Sequence, residues 1–262
     1  MTTFGDGYRL YPVQAETRRW AVKARNVARE VIREATRDEA ARARNLRHGQ
    51  TWFVGVDALP SGPWGGLDNV PLKGRFQRDL TPVQGWVKGQ LSVVFPGYPG
   101  RDASESDAAH RYRLLRAAAH VDGLLARGPD RRRYPLERHA FVLGLPLTEV
   151  AQAPTLAWPG SHRIIGAALL EAVGDGDPDL ADVTEAYGAA RARVMETIRP
   201  VPLAPPPGGA FLMHRFLLHG TAPWEDDGAD APDGRMVVFF RPLVADTAQW
   251  LARDWATGPG AL

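Results

Sequence analysis

The stretch Ala118-Ala119-His120-Val121-Asp122-Gly123 decides how the rest of the chain is read. It sets an imidazole and a carboxylate two residues apart. In extended backbone, residues i and i+2 project to the same side, so His120 and Asp122 would aim at a common point. In a helix the two side chains would diverge by about 200° around the axis, and the pair would carry no meaning. The residues just before it favour a helix. Ser104-Glu105-Ser106-Asp107 has the form of an N-cap, and Tyr112, Leu115 and Ala119 share one side of a helix over 104–118. Val121-Asp122-Gly123 continues a helix poorly. The helix is therefore expected to stop before His120, leaving the pair on a strand.

Outward from this pair, strand-like segments dominate. Thr51 to Val56, Gly85 to Phe95, His139 to Leu147, Thr155 to Trp158, Ala210 to His219 and Arg235 to Arg241 are apolar or β-branched runs closed by Gly or Pro. Helical periodicity appears at about 14–46, where Trp20, Val27, Val31 and Ile32 form one apolar face. It returns at 163–173 and 178–198, with Asp177 placed to cap the latter and Pro178 at its first position. The charged face of 14–46 interleaves Arg with Glu and Asp, as expected of a solvated, ion-paired surface. Segments 57–82, 127–134, 199–209 and 220–234 read as loops, turns or surface crossings. Short strands between Gly/Pro turns, with helices at the edges, predict a mainly β sandwich or jelly roll. The expected organisation is one domain over 1–262, with an N-terminal helix and a helical insertion at about 163–198.

Composition narrows the function classes. The 262 residues include 32 Lys plus Arg against 30 Asp plus Glu, a net charge of +2 that makes no case for nucleic acid. There is no cysteine, which removes thiolate metal sites, disulfides and Cys nucleophiles. Any metal must be held by His, Asp or Glu. No apolar run approaches the ~18 residues of a membrane span. Met1-Thr2-Thr3-Phe4-Gly5-Asp6 lacks the features of a signal peptide, so a cytoplasmic location is expected.

His219, in Leu218-His219-Gly220-Thr221, completes a possible ligand set with His120 and Asp122. Two neutral imidazoles and one carboxylate on one face of an octahedral Fe(II) leave three positions open. A keto acid can chelate through two of them and O2 can take the third. A co-substrate with a second carboxylate then needs a fixed cation, which a planar Arg fork supplies best. Arg235 opens the strand after His219 and is the candidate, and Thr221 offers a hydroxyl nearby.

His120-Val121-Asp122, Trp158-Pro159-Gly160-Ser161-His162, His219-Gly220-Thr221 and Arg235 occur in an order that resembles the phytanoyl-CoA dioxygenase family of Fe(II)/2-oxoglutarate oxygenases. The resemblance implies a double-stranded β-helix (jelly roll, cupin-like). It also implies Fe(II), 2-oxoglutarate and O2, and hydroxylation of an unactivated C–H of a small molecule with release of succinate and CO2. Metal ligation would fall to His120, Asp122 and His219, and co-substrate binding to Arg235, with Thr221 and Gln90 as further candidates. Halogenating relatives lack the carboxylate ligand, so Asp122 points to hydroxylation. The chain departs from the family in having Trp224 where an Asn often stands, and in the long loop before Arg235.

Other polar residues have structural readings. His139 is expected to be a hydrogen-bonded strand residue, and His162 to brace its turn. His214 should face away from the metal by strand parity with His219. Arg241 lies about 20 Å along the strand from Arg235 and reads as a surface or structural residue. Trp224 is the best placed tryptophan for a pocket, and Arg131-Arg132-Arg133 would form a rim suited to an anionic substrate. Two alternatives stand beside the oxygenase: a cupin-like metal isomerase or hydrolase that needs no 2-oxoglutarate, and a non-catalytic β-helix binding module.

Overall fold

A computed structural model describes residues 4–80, 83, 85–225 and 231–252. The strands are β1 (Tyr8–Tyr11), β2 (Leu46–Arg47), β3 (Trp52–Leu59), β4 (Gly89–Val94), β5 (Leu124–Arg127), β6 (Arg132–Pro135), β7 (Phe141–Pro146), β8 (Thr155–Ala157), β9 (Val201–Leu203), β10 (Ala210–His214), β11 (His219–Thr221) and β12 (Arg235–Phe240). The helices are α1 (Ala15–Ala35), α2 (Glu39–Asn45), α3 (Asp107–Arg116), α4 (Ser161–Val173), α5 (Thr184–Thr197) and α6 (Thr247–Leu251). Seven strands form one antiparallel sheet in the order β1-β10-β7-β12-β4-β3-β2, and a smaller sheet runs β11-β8-β9. This is a mainly β jelly roll with peripheral helices.

The large sheet is covered on both faces, which explains why its central strands read as unbroken apolar runs. Met236, Val238 and Phe240 of β12 point outward into a cluster with Leu91, Val93, Leu143 and Leu145. α1 closes that cluster with Trp20, Ala21, Ala24 and Ala28, the buried stripe of its helical period. The Trp20 indole N–H donates to the carbonyl of Gly65 at 2.7 Å, so even its polar atom is satisfied. Val237 alternates to the opposite, interior face, where it meets Val142, Phe211, Met213 and Leu217. α4 and α5 cover the small sheet through Ile165, Leu169, Val173, Tyr187 and Val194.

Several expected boundaries move. The single helix at 14–46 is two, because the Asp38 carboxylate accepts from the Ala41 N–H and starts α2. α5 begins at Thr184, and Asp177 instead caps one 3-10 turn over Pro178–Leu180. The turn at 127–134 is the end of a β5–β6 hairpin. Ala210 to His219 is not one strand: the chain leaves the large sheet after His214 and enters the small one at His219. Strand parity therefore does not relate those two histidines. His214 is packed in the interior with its ring 5.0 Å from that of His162.

Candidate metal centre

α3 starts at Ser106, whose hydroxyl accepts from the Ala109 N–H, and it stops at two left-handed residues, Ala117 (φ 52°) and Ala118 (φ 50°). This turn frees His120 from the helix. The expected regular strand is absent. His120 instead makes one isolated antiparallel bridge to His219, with N–H···O distances of 2.8 and 3.0 Å in the two directions. Asp122 opens the following turn, which Gly123 completes at φ 84°. Between the two, the Val121 N–H donates to the Tyr187 hydroxyl of α5 at 3.2 Å. The helical insertion thus holds the backbone that separates the two side chains.

The bridge continues the small sheet by one residue, since His219 pairs on its other side with Ala157 of β8. Trp158-Pro159-Gly160-Ser161 supports this strand from behind. The Trp158 N–H donates to the Leu218 carbonyl at 3.0 Å, and the Ser161 hydroxyl accepts from the Leu218 N–H at 2.9 Å. Gly220 lies so close to the α3 terminus that a Cβ there would stand 2.2 Å from the Ala117 carbonyl oxygen.

His120, Asp122 and His219 converge, with one ligand atom from each lying within 4.8 Å of the other two. His120 Nε2 is 3.3 Å from Asp122 Oδ1, and His219 Nε2 is 3.4 Å from Asp122 Oδ2. Each imidazole meets a backbone carbonyl two residues earlier through Nδ1: His120 with Ala118 at 3.0 Å, His219 with Leu217 at 2.9 Å. A proton on Nδ1 satisfies those carbonyls and leaves the Nε2 lone pairs directed at the shared point, which is the arrangement a metal-binding histidine needs. Burial pushes the Asp122 carboxyl up, but the neighbouring His219, Arg241 and His120 side chains outweigh it. The carboxyl is held well below its usual range and is the anion a divalent cation requires. The donor set fits Fe(II) in number and type.

One pocket contains this triad and extends along the interior face of the large sheet. Trp52, Ser92, Tyr98, Thr155, Thr221 and Phe239 contribute to its walls. Arg235 is buried at 4% exposure, and its Nη2 donates to the hydroxyl of Thr155 on the pocket wall. Its Nη1 is buried without a hydrogen-bond partner. Burial lowers the guanidinium pKa to about 10 against the opposing influence of Tyr98. An unpaired buried cation beside a pocket is a ready receptor for a carboxylate.

Gln90 and Thr221 both line the pocket, but Gln90 is already engaged, accepting from the Arg241 guanidinium. Arg241 is not the remote residue expected from its distance along the strand. Its Nη1 is 3.0 Å from Asp122 Oδ1. Residues 235 and 241 share a face of the large sheet, but Arg241 lines the triad pocket directly, whereas Arg235 reaches it only through Thr155 and itself borders a neighbouring cleft. Distance along the strand is a poor guide here, because a guanidinium reaches well back over its own strand end.

Trp224 does not line the pocket. It packs behind Tyr98 in a cluster with Val94 and Ala153, while Trp52 takes the wall position. His139 is structural as expected, with Nδ1 2.9 Å from the Arg241 carbonyl. The arginine rim dissolves: Arg132 pairs with Asp182 and Glu185, and Arg133 donates to the Leu124 carbonyl.

No protein-family model matches the chain, and no curated protein matches it. Solved structures do. A non-heme alpha-ketoglutarate-dependent carbocyclase, SnoK from nogalamycin biosynthesis, superposes with a TM-score of 0.52 at 15% identity, covering 92% of this chain and 81% of that one. EctD from S. alaskensis, solved with 2-oxoglutarate and 5-hydroxyectoine, gives 0.43 at 15% identity over 91% of this chain and 72% of its own. At this identity the property shared with SnoK is the fold alone.

Proposed function

We propose that the protein is a non-haem Fe(II)/2-oxoglutarate-dependent oxygenase of the phytanoyl-CoA dioxygenase type, hydroxylating an unactivated C–H of a small molecule. The observation that carries this reading is a preformed His-Asp-His ligand set in a pocket whose wall residue Thr155 is hydrogen-bonded to a buried, anion-seeking arginine, Arg235. His120, Asp122 and His219 would hold the metal through two Nε2 atoms and one carboxylate. When bound there, Fe(II) supplies the redox chemistry that couples decarboxylation of the keto acid to oxygen insertion.

The chain's own groups do the rest. The two Nδ1–carbonyl contacts fix the rotation of both imidazoles. Arg235 and the Thr155 hydroxyl would receive the far carboxylate of 2-oxoglutarate, orienting its keto end toward the triad. Thr221, paired across the small sheet with Thr155, stands on the same wall. Trp52, Tyr98 and Phe239 line the pocket with aromatic surface that limits water. A metal isomerase or hydrolase on the same ligands has no use for the free Nη1 of Arg235, and a binding module has none for tautomer-fixed imidazoles. The proposed substrate is a small organic molecule.

Anaerobic addition of Fe(II) and 2-oxoglutarate is expected to produce a weak visible charge-transfer band from the chelated keto acid. Bound iron with no band would sink the proposal. Asp122→Ala and His219→Ala are each expected to abolish succinate formation, and full turnover in either would show that the ligands are wrongly assigned.

A further inference from the structure

We infer that Arg241 is a positioning residue that reserves one oxygen of Asp122, so that this carboxylate binds the metal through Oδ2 alone. The inference rests on the metal-binding reading of the triad. Its observation is the unequal use of the two carboxylate oxygens. Each oxygen faces one imidazole, Oδ1 at 3.3 Å from His120 Nε2 and Oδ2 at 3.4 Å from His219 Nε2, but among the described residues Oδ1 alone also receives a cation, Arg241 Nη1 at 3.0 Å.

Arg241 is held in this position from two sides. Gln90 on β4 accepts from its Nη2, and His139 holds its backbone carbonyl through Nδ1 at 2.9 Å. Gln90 pairs in register with Phe239, two residues before Arg241 on the same face, so the large sheet itself sets the approach of the guanidinium. Gln90 is thereby given a different task from co-substrate binding: it steadies the arginine that steadies the ligand.

The consequence is a count of coordination positions. An octahedral ion held by two imidazoles and one carboxylate oxygen keeps three positions free, two for a chelating keto acid and one for O2. A carboxylate that swung to bind through both oxygens would take a fourth position and leave none for O2 once the keto acid was in place. Carboxylates adopt both modes readily. A charge-assisted hydrogen bond to one oxygen opposes that swing. Arg241 thus protects a vacancy without touching substrate, keto acid or O2.

The test is the number of Asp122 oxygens on the metal. Crystal structures of the Mn(II)-loaded protein are expected to show Oδ2 alone on the metal in the wild type, with Oδ1 still on Arg241. Both oxygens should be on the metal in Arg241→Met. Two oxygens on the metal in the wild type, or one in Arg241→Met, would overturn the inference. Two oxygens on the metal in the wild type would overturn the inference even if the variant does not fold. A solution measurement adds to it. In Arg241→Met the anaerobic Fe(II)/2-oxoglutarate band should form normally but decay about tenfold or more slowly on exposure to O2. Arg241→Lys, which keeps a cationic donor, should recover much of the rate. Decay at the wild-type rate in Arg241→Met would overturn the inference. Absence of the band from both proteins would count against the keto-acid reading, while the oxygen count in the Mn(II) structures would still decide the role of Arg241.

Discussion

Arg235 is a cation kept from water, and that makes its role separable from a structural one. A buried charge without a partner destabilises a folded protein, and replacing it with an apolar side chain of similar length is often neutral or stabilising. A residue kept for binding should therefore cost affinity rather than stability when removed. Arg235→Met is expected to weaken 2-oxoglutarate binding by about 1.5–3 kcal/mol, roughly ten- to hundredfold in Kd. The ligand-free variant should melt at or above the wild-type temperature. Calorimetric titration of the Mn(II)-loaded protein and thermal melts without ligand check both halves. A variant that loses stability but keeps its affinity would make Arg235 a structural residue. At this scale the convergence of His120, Asp122 and His219 was legible, because it depends on residue types in order that can be read without knowing the fold. The Arg241 contact with Asp122 was not. It depends on the Arg241 end of β12 lying over the triad, which only the assembled sheet shows.

The turn between α3 and the small sheet brings the ligands together. Ala117 and Ala118, both left-handed without being glycine, bend the chain so that His120 meets His219 in one reciprocal backbone pair. That pair requires close approach at Gly220, where a methyl group would meet the Ala117 carbonyl oxygen. Gly220→Ala is expected to destabilise the protein by about 1–3 kcal/mol, as overpacking does. It should also weaken Mn(II) binding, because His219 is the adjacent residue. Urea denaturation and metal titration of the variant measure the two effects, and wild-type values in both would show that the approach is not needed. Sequence reading handled the long elements well and the short ones poorly. β7 and β12 announce themselves as apolar runs because both sheet faces are covered. β8 and β11 are three residues each, and His120 pairs alone. Such pairings are imposed by tertiary contacts and leave no periodicity to detect. The break after α1 was missed because the helical pattern runs through it, and one capping carboxylate, Asp38, resets the chain.

Taken as a whole, the molecule is a layered assembly in which α1, packed on the large sheet, is tied to the residues that lead into Arg235. The layers were foreseeable from the alternation of strands and helical segments. The contact between α1 and the β11–β12 connection was not, since more than two hundred positions separate its partners. There Asp233 Oδ2 accepts from Arg25 Nη2 at 3.0 Å and from Arg29 Nη2 at 2.5 Å, two residues before Arg235. Hydrogen bonds from Arg29, then Arg25, outweigh partial burial and lower the Asp233 carboxyl below its ordinary value. The sign of the pH dependence follows. A carboxyl whose folded pKa lies below its unfolded one stabilises the fold above the unfolded value of about 3.9, and that contribution is lost as pH falls through the folded value. The three side chains are about a third or more exposed, so solvent screening keeps the contribution small. Asp233→Asn is expected to cost about 0.5–1 kcal/mol at pH 7 and less at high salt. The gap from wild type should close as pH drops below the normal carboxylate range, because the wild-type side chain is then neutral as well. Denaturant unfolding of both proteins at neutral and acidic pH measures the difference directly. A gap that persisted or widened in acid would mean that Asp233 acts through packing or loop geometry, and not through its charge on the two arginines of α1.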